Sequence, residues 1–271
     1  MKGKRIVCIV LAVLLLLLLC LGRVFAPYDP TEVHMADRMK GPSETYLMGT
    51  DQLGRDMLSR ILYASTTSTL IAVAVVALSL CAGILIGGTA AICGGWVDDV
   101  LMRIADLFMA FPSRILIIAI AGLLSASIRS IIIAMLATSW VSYARMVRGS
   151  VLTARHQLYA DATAVLGGSP AYILLRHILI NVFPPILTFG MQRIGSSILM
   201  IVGLSYLGLG AQPPTAELGA MLKEANTFLS TNPHMFFYPG LFAAFIVFSF
   251  NYIGDYLRDL LDPKRKREAL L

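Results

Sequence analysis

The chain has 271 residues, of which 57% are hydrophobic and only 14% charged, with a formal net charge of +6. A soluble domain carries roughly 25% charged residues, and several apolar runs here reach the ~20 residues that a helix needs to cross a bilayer. Composition therefore excludes a soluble domain, and the lack of an alternating ten-residue pattern argues against an outer-membrane barrel. What remains is an all-α, polytopic membrane protein. The positive charge does not form a nucleic-acid patch. It gathers at the N-terminus (Lys2, Lys4, Arg5), in the centre (Arg145, Arg148, Arg155, Arg176) and at the C-terminus (Arg258, Lys264, Arg265, Lys266, Arg267). The positive-inside bias produces that distribution when all three segments, and so both termini, are cytoplasmic.

Ile6 to Gly22 is nearly unbroken Leu, Val and Ile. A secretory signal peptide has an apolar core of only ~7–15 residues, and Pro27 follows Val24-Phe25-Ala26 poorly as a cleavage site. Residues 1–25 are therefore expected to form an uncleaved first span. Residues 26–66 are expected to form an extracytoplasmic loop, turn-rich at Pro27, Pro30, Gly41 and Pro42, and residues 67–271 a core of five further spans. Within the loop, Gly49, Thr50, Asp51, Gly54, Arg55 and Asp56 stand in a compact motif, and Asp51, Arg55 and Asp56 suit a small charge network. An ordinary capped loop-to-helix junction explains the same residues.

The second span is expected over Leu70 to Ala91, where Gly83 and Gly87 form a small-xxx-small pair that lets another helix approach. Val97 to Phe111 mixes Asp98, Asp99, Arg103 and Asp106 with apolar residues. This predicts an amphipathic surface helix, bent at Pro112 into a third span ending near Ser125. Ile131 to Val147 is the fourth span, Val182 to Leu207 the fifth and Leu241 to Tyr256 the sixth. Arg193 lies deep in the fifth, where a charge is costly unless it faces water or a bundle interior. The pore side, a subunit interface or a buried ion pair would each satisfy it.

Between the fourth and fifth spans lies a polar stretch that is not loop-like. Gln157 to Leu166 favours helix, with Asp161 and Ala162 in it. Gly167 and Gly168 stop that helix, and Ser169-Pro170 opens a second one carrying Tyr172, Arg176 and His177. Two short helices with a tight elbow, residues 155–180, make a rigid handle.

Other chemistry is thin. No G-x-x-x-x-G-K-[ST] sequence is present to cradle ATP phosphates, no H-E-x-x-H, and the four histidines lack metal-ligand spacing. His234-Met235 is the one pair that tempts a metal reading. Cys8, Cys20, Cys81 and Cys93 fall in or beside apolar runs and read as buried free thiols. Gly203 to Gly208 misses the spacing of a serine-hydrolase elbow, so an intramembrane enzyme has little support. A channel or secondary transporter would need an intramembrane ion path, for which Arg193 alone is slender.

The handle resembles the cytoplasmic coupling motif of binding-protein-dependent ABC importer permeases. Asp161-Ala162-Thr163 stands where that motif has E-A-A, Gly167 falls at its glycine, and Arg176-His177-Ile178-Leu179 matches an ending of the dipeptide, oligopeptide and nickel branch. Thr163 replaces an alanine and Ile180 a proline. Gly49 to Asp56, Gly208 to Thr215 and Gly254 to Pro263 resemble further motifs of the same branch. The resemblance implies a type I ABC importer permease fold and a non-catalytic subunit of the cytoplasmic (inner) membrane. It also implies a heterodimer with a second permease chain, two ATPase subunits holding ATP and Mg, and an extracytoplasmic substrate-binding protein. No cofactor and no metal is expected in the chain itself. The implied handle contacts are Arg155, Asp161, Ala162, Leu166, Gly167, Gly168, Tyr172, Arg176 and His177. Arg103 to Met109, Tyr143 to Arg148 and Pro214 to Glu217 resemble nickel-type members, which leans the cargo toward nickel or a metal chelate over di- or oligopeptides.

Overall fold

The computed structural model describes residues 2–22 and 24–261. The basic cluster Lys264 to Arg267 and the Asp262-Pro263 ending lie outside the described residues. In chain order the helices are α1 (Lys2–Leu16, extended by a π turn Leu17–Leu21), α2 (Met57–Cys93), α3 (Gly95–Met109), α4 (Ser113–Leu123) and α5 (Ile128–Arg155). They continue with α6 (Leu158–Val165), α7 (Pro170–Ile173), a π turn Leu174–Ile178, α8 (Leu179–Tyr206), α9 (Leu218–Asn226) and α10 (His234–Leu261). Among the described residues there is no strand, only one isolated bridge, Thr50 to Asp56.

Five helical stretches are long and apolar enough to cross a membrane, and the bent pair α3–α4 makes a sixth when taken as one span. The pair turns by 80° at residues 110–112, where Pro112 lacks the N–H needed to continue the helix. The proline bend predicted from sequence is therefore present. The turn is sharp enough to leave α3 and α4 as two separate arms.

Two boundaries differ from the sequence reading. The loop ends at Asp56 rather than near residue 66, because α2 starts at Met57 and runs for 37 residues. Its hydroxyl-rich opening reads as loop, yet Thr66 and Thr67 donate back to the Leu62 and Tyr63 carbonyls at 3.2 and 2.9 Å. Such bonds hide the hydroxyls inside the helix's own ladder. The handle's second helix is also not a separate short piece. It passes through the π turn directly into α8, and Pro170–Tyr206 forms a single 37-residue stretch.

α2 is the axis of the bundle. A Cβ added at Gly83 would lie 2.4 Å from Tyr143 Cβ, and one at Gly87 would lie 2.2 Å from the Ala144 carbonyl oxygen. Only glycine lets α2 and α5 touch backbone to backbone, as the small-xxx-small pair predicted. Where α8 and α10 meet, a Cβ at Gly195 would lie 2.4 Å from the Asn251 side-chain oxygen.

The packed interior divides in two. A large core includes Ile61, Met135, Ile198, Leu218 and Ile246. A smaller one joins Ala91, Val147, Val151, Ala160, Ile173, Ile178 and Val182 beneath the handle. The beginning of α1 and the end of α10 meet at that handle end, where Lys4 lies 3.6 Å from Asp259. The four cysteines are free, but only Cys8 is buried. Cys20, Cys81 and Cys93 lie on the outer surface of the chain, so burial was wrongly expected for three of them.

Candidate functional site: a handle, a buried charge network and a chamber

The handle's elbow is built as its sequence predicts. α6 stops at the elbow, where Gly167 has φ +85°, a left-handed conformation that glycine adopts without a Cβ penalty. Nothing lies within 4 Å of a Cβ placed there, so the requirement is conformational rather than spatial. Gly168 has the opposite reason: a Cβ would meet Thr163 Cγ2 and the Thr163 carbonyl at 2.9 Å. Its own N–H bonds that carbonyl at 3.0 Å. The Ser169 hydroxyl then accepts from the Tyr172 N–H, with Pro170 at the first helical position.

Ala160, Ile173 and Ile178 anchor this elbow into the smaller core, while the Arg155 guanidinium donates to the Ala91 carbonyl at the end of α2. A cation there also suits the negative end of the helix dipole. Arg148 pairs with Asp98, and Arg145 with Asp106, tying α5 to α3.

What the anchors leave outside is apolar. Leu158, Val165, Leu166, Tyr172 and Leu175 are all exposed, Leu166 to 87%. Asp161, Ala162 and Arg176 border them, likewise exposed, and the His177 ring packs edge-on against Tyr172 at 5.5 Å. The nine predicted handle residues thus share one segment. Leu158 and Val165 are exposed on the same segment, and sequence reasoning did not single them out.

At the opposite end, Gly49 to Asp56 folds into a closed turn. Gly49 and Gly54 have φ of +76° and +75°, and a Cβ on Gly54 would lie 1.8 Å from the His34 carbonyl oxygen. The Thr50 hydroxyl accepts from the Lys40 N–H and donates to the Asp37 carbonyl. Asp51 and Arg55 pair at 2.6 Å, as expected. Asp56 does not join them. It caps α2 instead, accepting from the Ser59 N–H at 2.8 Å, so its predicted place in the charge network is corrected to an N-cap.

The network closes through residues that the sequence did not disclose. Arg55 bonds Glu224 at 2.8 Å, and Arg60 lies 3.4 Å from Asp51 and 3.3 Å from Glu224. Both arginine side chains are 1% exposed. Two acids balance two bases, and Gln52 donates a further bond to Glu224. Beside it Glu217 caps α9 and accepts from Ser68 at 2.9 Å. Burial pushes the Glu217 carboxyl above the ordinary range, against the hydrogen bonds that it accepts. His234 and Met235 begin α10. Met235 is buried in the large core, and no group of three or more His, Cys, Asp or Glu fit to hold a metal occurs among the described residues.

Between the two ends, the α3–α4 bend, the middle of α5 and the middle of α8 border a half-open chamber of about 650 Å³. Arg193 lines it and is exposed to it. Its guanidinium stands 4.8 Å over the Phe189 ring, and Phe189 meets Tyr143 edge-on at 5.4 Å. Of the three environments open to Arg193, an ion pair is not found among the described residues.

Residues 80–267 match the family described as "Binding-protein-dependent transport system inner membrane component". The chain is 38% identical to the nickel transport system permease protein NikC of Escherichia coli (strain K12) over 259 residues, 96% of this chain and 93% of that one. It is 40% identical to the glutathione transport system permease protein GsiD of Escherichia coli O6:K15:H31 over 255 residues, 94% and 84% of the two chains. Among solved structures, an inward-facing MetNI methionine ABC transporter is similar with a TM-score of 0.56 at 15% identity, covering 74% of this chain and 98% of that chain. The fold is thus that of a type I ABC importer permease. The chain, a multi-pass inner-membrane protein, belongs to the binding-protein-dependent transport system inner membrane component family.

Proposed function

We propose that this chain forms half of the translocation pore of an ATP-driven importer and that residues 155–180 are its coupling segment. The observation that carries the reading is the exposed face of Leu158, Val165, Leu166, Tyr172 and Leu175 on an elbow whose other side is locked into the bundle. An apolar patch held rigidly clear of the bundle fits a groove on another protein. When two ATPase subunits close on ATP and Mg, the elbow moves as a rigid body and the spans exchange inward-open and outward-open pathways. The chain itself supplies no catalytic residue and needs no cofactor. Its partners are a second, homologous permease subunit, two ATPase subunits and an extracytoplasmic binding protein that delivers cargo to the loop end of the bundle. Both termini and the handle are cytoplasmic. The cargo is nickel, a metal chelate or a di- or oligopeptide. The motif resemblances and the similarity to NikC lean toward nickel or a chelate, and the similarity to GsiD keeps a peptide in view.

The test is uptake by the purified complex in proteoliposomes, with labelled nickel, chelated nickel and labelled dipeptide. Uptake that requires ATP and the ATPase partner supports the reading. Uptake driven by an ion gradient without any ATPase would make the chain a secondary transporter or channel instead. Orientation is tested by cysteine labelling: Gln212→Cys reacts with an impermeant reagent added outside, and Ser169→Cys does not.

A further inference from the structure

The chamber beside Arg193 has a chemical character of its own. Its walls carry two arginines, Arg114 and Arg193, with the hydroxyls of residues such as Ser139, Ser196 and Ser197, and no carboxylate among the described lining residues. Asp106, on the neighbouring α3, is already engaged by Arg145. Arg193 sits 14 positions into α8 and 13 from its end, about 20 Å from either terminus at 1.5 Å per residue. That far from either end a charge is costly unless it faces water, an anion or a bundle interior.

Its position is also held. Gly83 admits Tyr143 against α2, Tyr143 is buried to 2% exposure, Phe189 packs on Tyr143, and the guanidinium stacks on Phe189. Stacking on an aromatic face fixes a guanidinium while leaving its N–H donors free for a planar acceptor.

We infer that this chamber is a mid-membrane subsite for a carboxylate-bearing solute, with Arg193 as its principal contact and Arg114 as the second cation. This rests on the permease reading and narrows its cargo. A peptide terminus or a metal held in a carboxylate chelate fits, whereas a bare divalent cation meets two like charges and no ligand acid.

The test uses the carboxylate itself. In a chain whose Cys8, Cys20, Cys81 and Cys93 are replaced by serine, a single thiol is placed by Ser197→Cys, one helical turn beyond Arg193 and on its face. A reference thiol is placed by Gln212→Cys on the exposed loop. Each full-length protein, purified with its partners, is alkylated by iodoacetate and by its neutral counterpart iodoacetamide. The ratio of the two rates cancels differences in thiolate fraction. The expected ratio at Ser197→Cys exceeds that at Gln212→Cys by roughly tenfold. It falls most of the way to the reference value in Arg193→Gln, stays high in Arg193→Lys and drops by a smaller amount in Arg114→Gln. Equal ratios at the two sites overturn the inference, as does a thiol that neither reagent reaches or a preference indifferent to Arg193→Gln. The first comparison leaves Arg193 intact, so a poorly folding variant does not shelter the idea. Failure of an ATPase to copurify would sink the importer reading separately, while the rate ratio still decides the charge preference.

Discussion

At one end of the bundle Asp51, Arg55 and Arg60 are buried and, with the partly exposed Glu224, pair two acids with two bases. At the other, five large apolar residues of the handle stand exposed. A soluble protein would place these groups the other way round. The loop end needs no other chain to neutralise its charge, because two acids meet two bases and the turn glycines admit neighbouring backbone where a Cβ would clash. At the handle end the inward residues are anchored in the smaller core and the outward ones are exposed. Charge is paired within the chain at one end and apolar surface is exposed at the other, the contrast expected between a structural lock and the docking surface proposed above.

The largest break in the comparison is expected from Gly167→Val. The elbow requires φ +85°, where a β-branched side chain costs about 1–2 kcal/mol, and no neighbour blocks the new side chain. The bundle should therefore insert normally while the handle takes another angle. ATP-driven uptake should fall at least tenfold with the membrane level of the protein unchanged. Normal uptake would mean that the elbow transmits nothing.

Arg55→Leu acts on the opposite end and on stability. Removing one member of a buried network leaves the others uncompensated, at about 3–5 kcal/mol. Thermal unfolding of the purified complex should shift down by several degrees, while Leu166→Ser, on the exposed handle, leaves it in place. Equal shifts would erase the distinction between the two ends.

The smallest effect sharpens the chemistry of the loop end. Burial raises the Glu217 pKa, so the folded state holds this proton more tightly than the unfolded chain does. The associated stability is complete below the ordinary glutamate value of 4.5 and is lost as pH rises through the folded value. Glu217→Gln cannot lose that proton. Its stability relative to the parent should improve from pH 5 to pH 8, measured by denaturation at each pH.

Much of this was readable beforehand, for local reasons. Gly167, Ser169 and Pro170 act within one turn of chain, and Gly83 and Gly87 act through a spacing that any helix displays. The Asp51–Arg55 pair is four residues apart. The closing partners were not readable, because Glu224 lies 169 residues from Arg55 and only the packing of α9 brings it there. Arg60 was hidden by the misplaced start of α2, whose hydroxyl-rich first turns resemble loop until their bonds to preceding carbonyls are seen. Leu158 and Val165 were overlooked because an apolar residue in a greasy sequence carries no signal until its exposure is known.

The central claim is that the apolar handle face is covered by an ATPase. It is tested most directly by placing a photo-crosslinking residue at Leu166 in the assembled complex and identifying what it captures. The account predicts a crosslink to the ATPase subunit, strong at position 166 and absent from the same probe at Gln212. Capture of lipid alone at 166, or of the ATPase from Gln212, would contradict it.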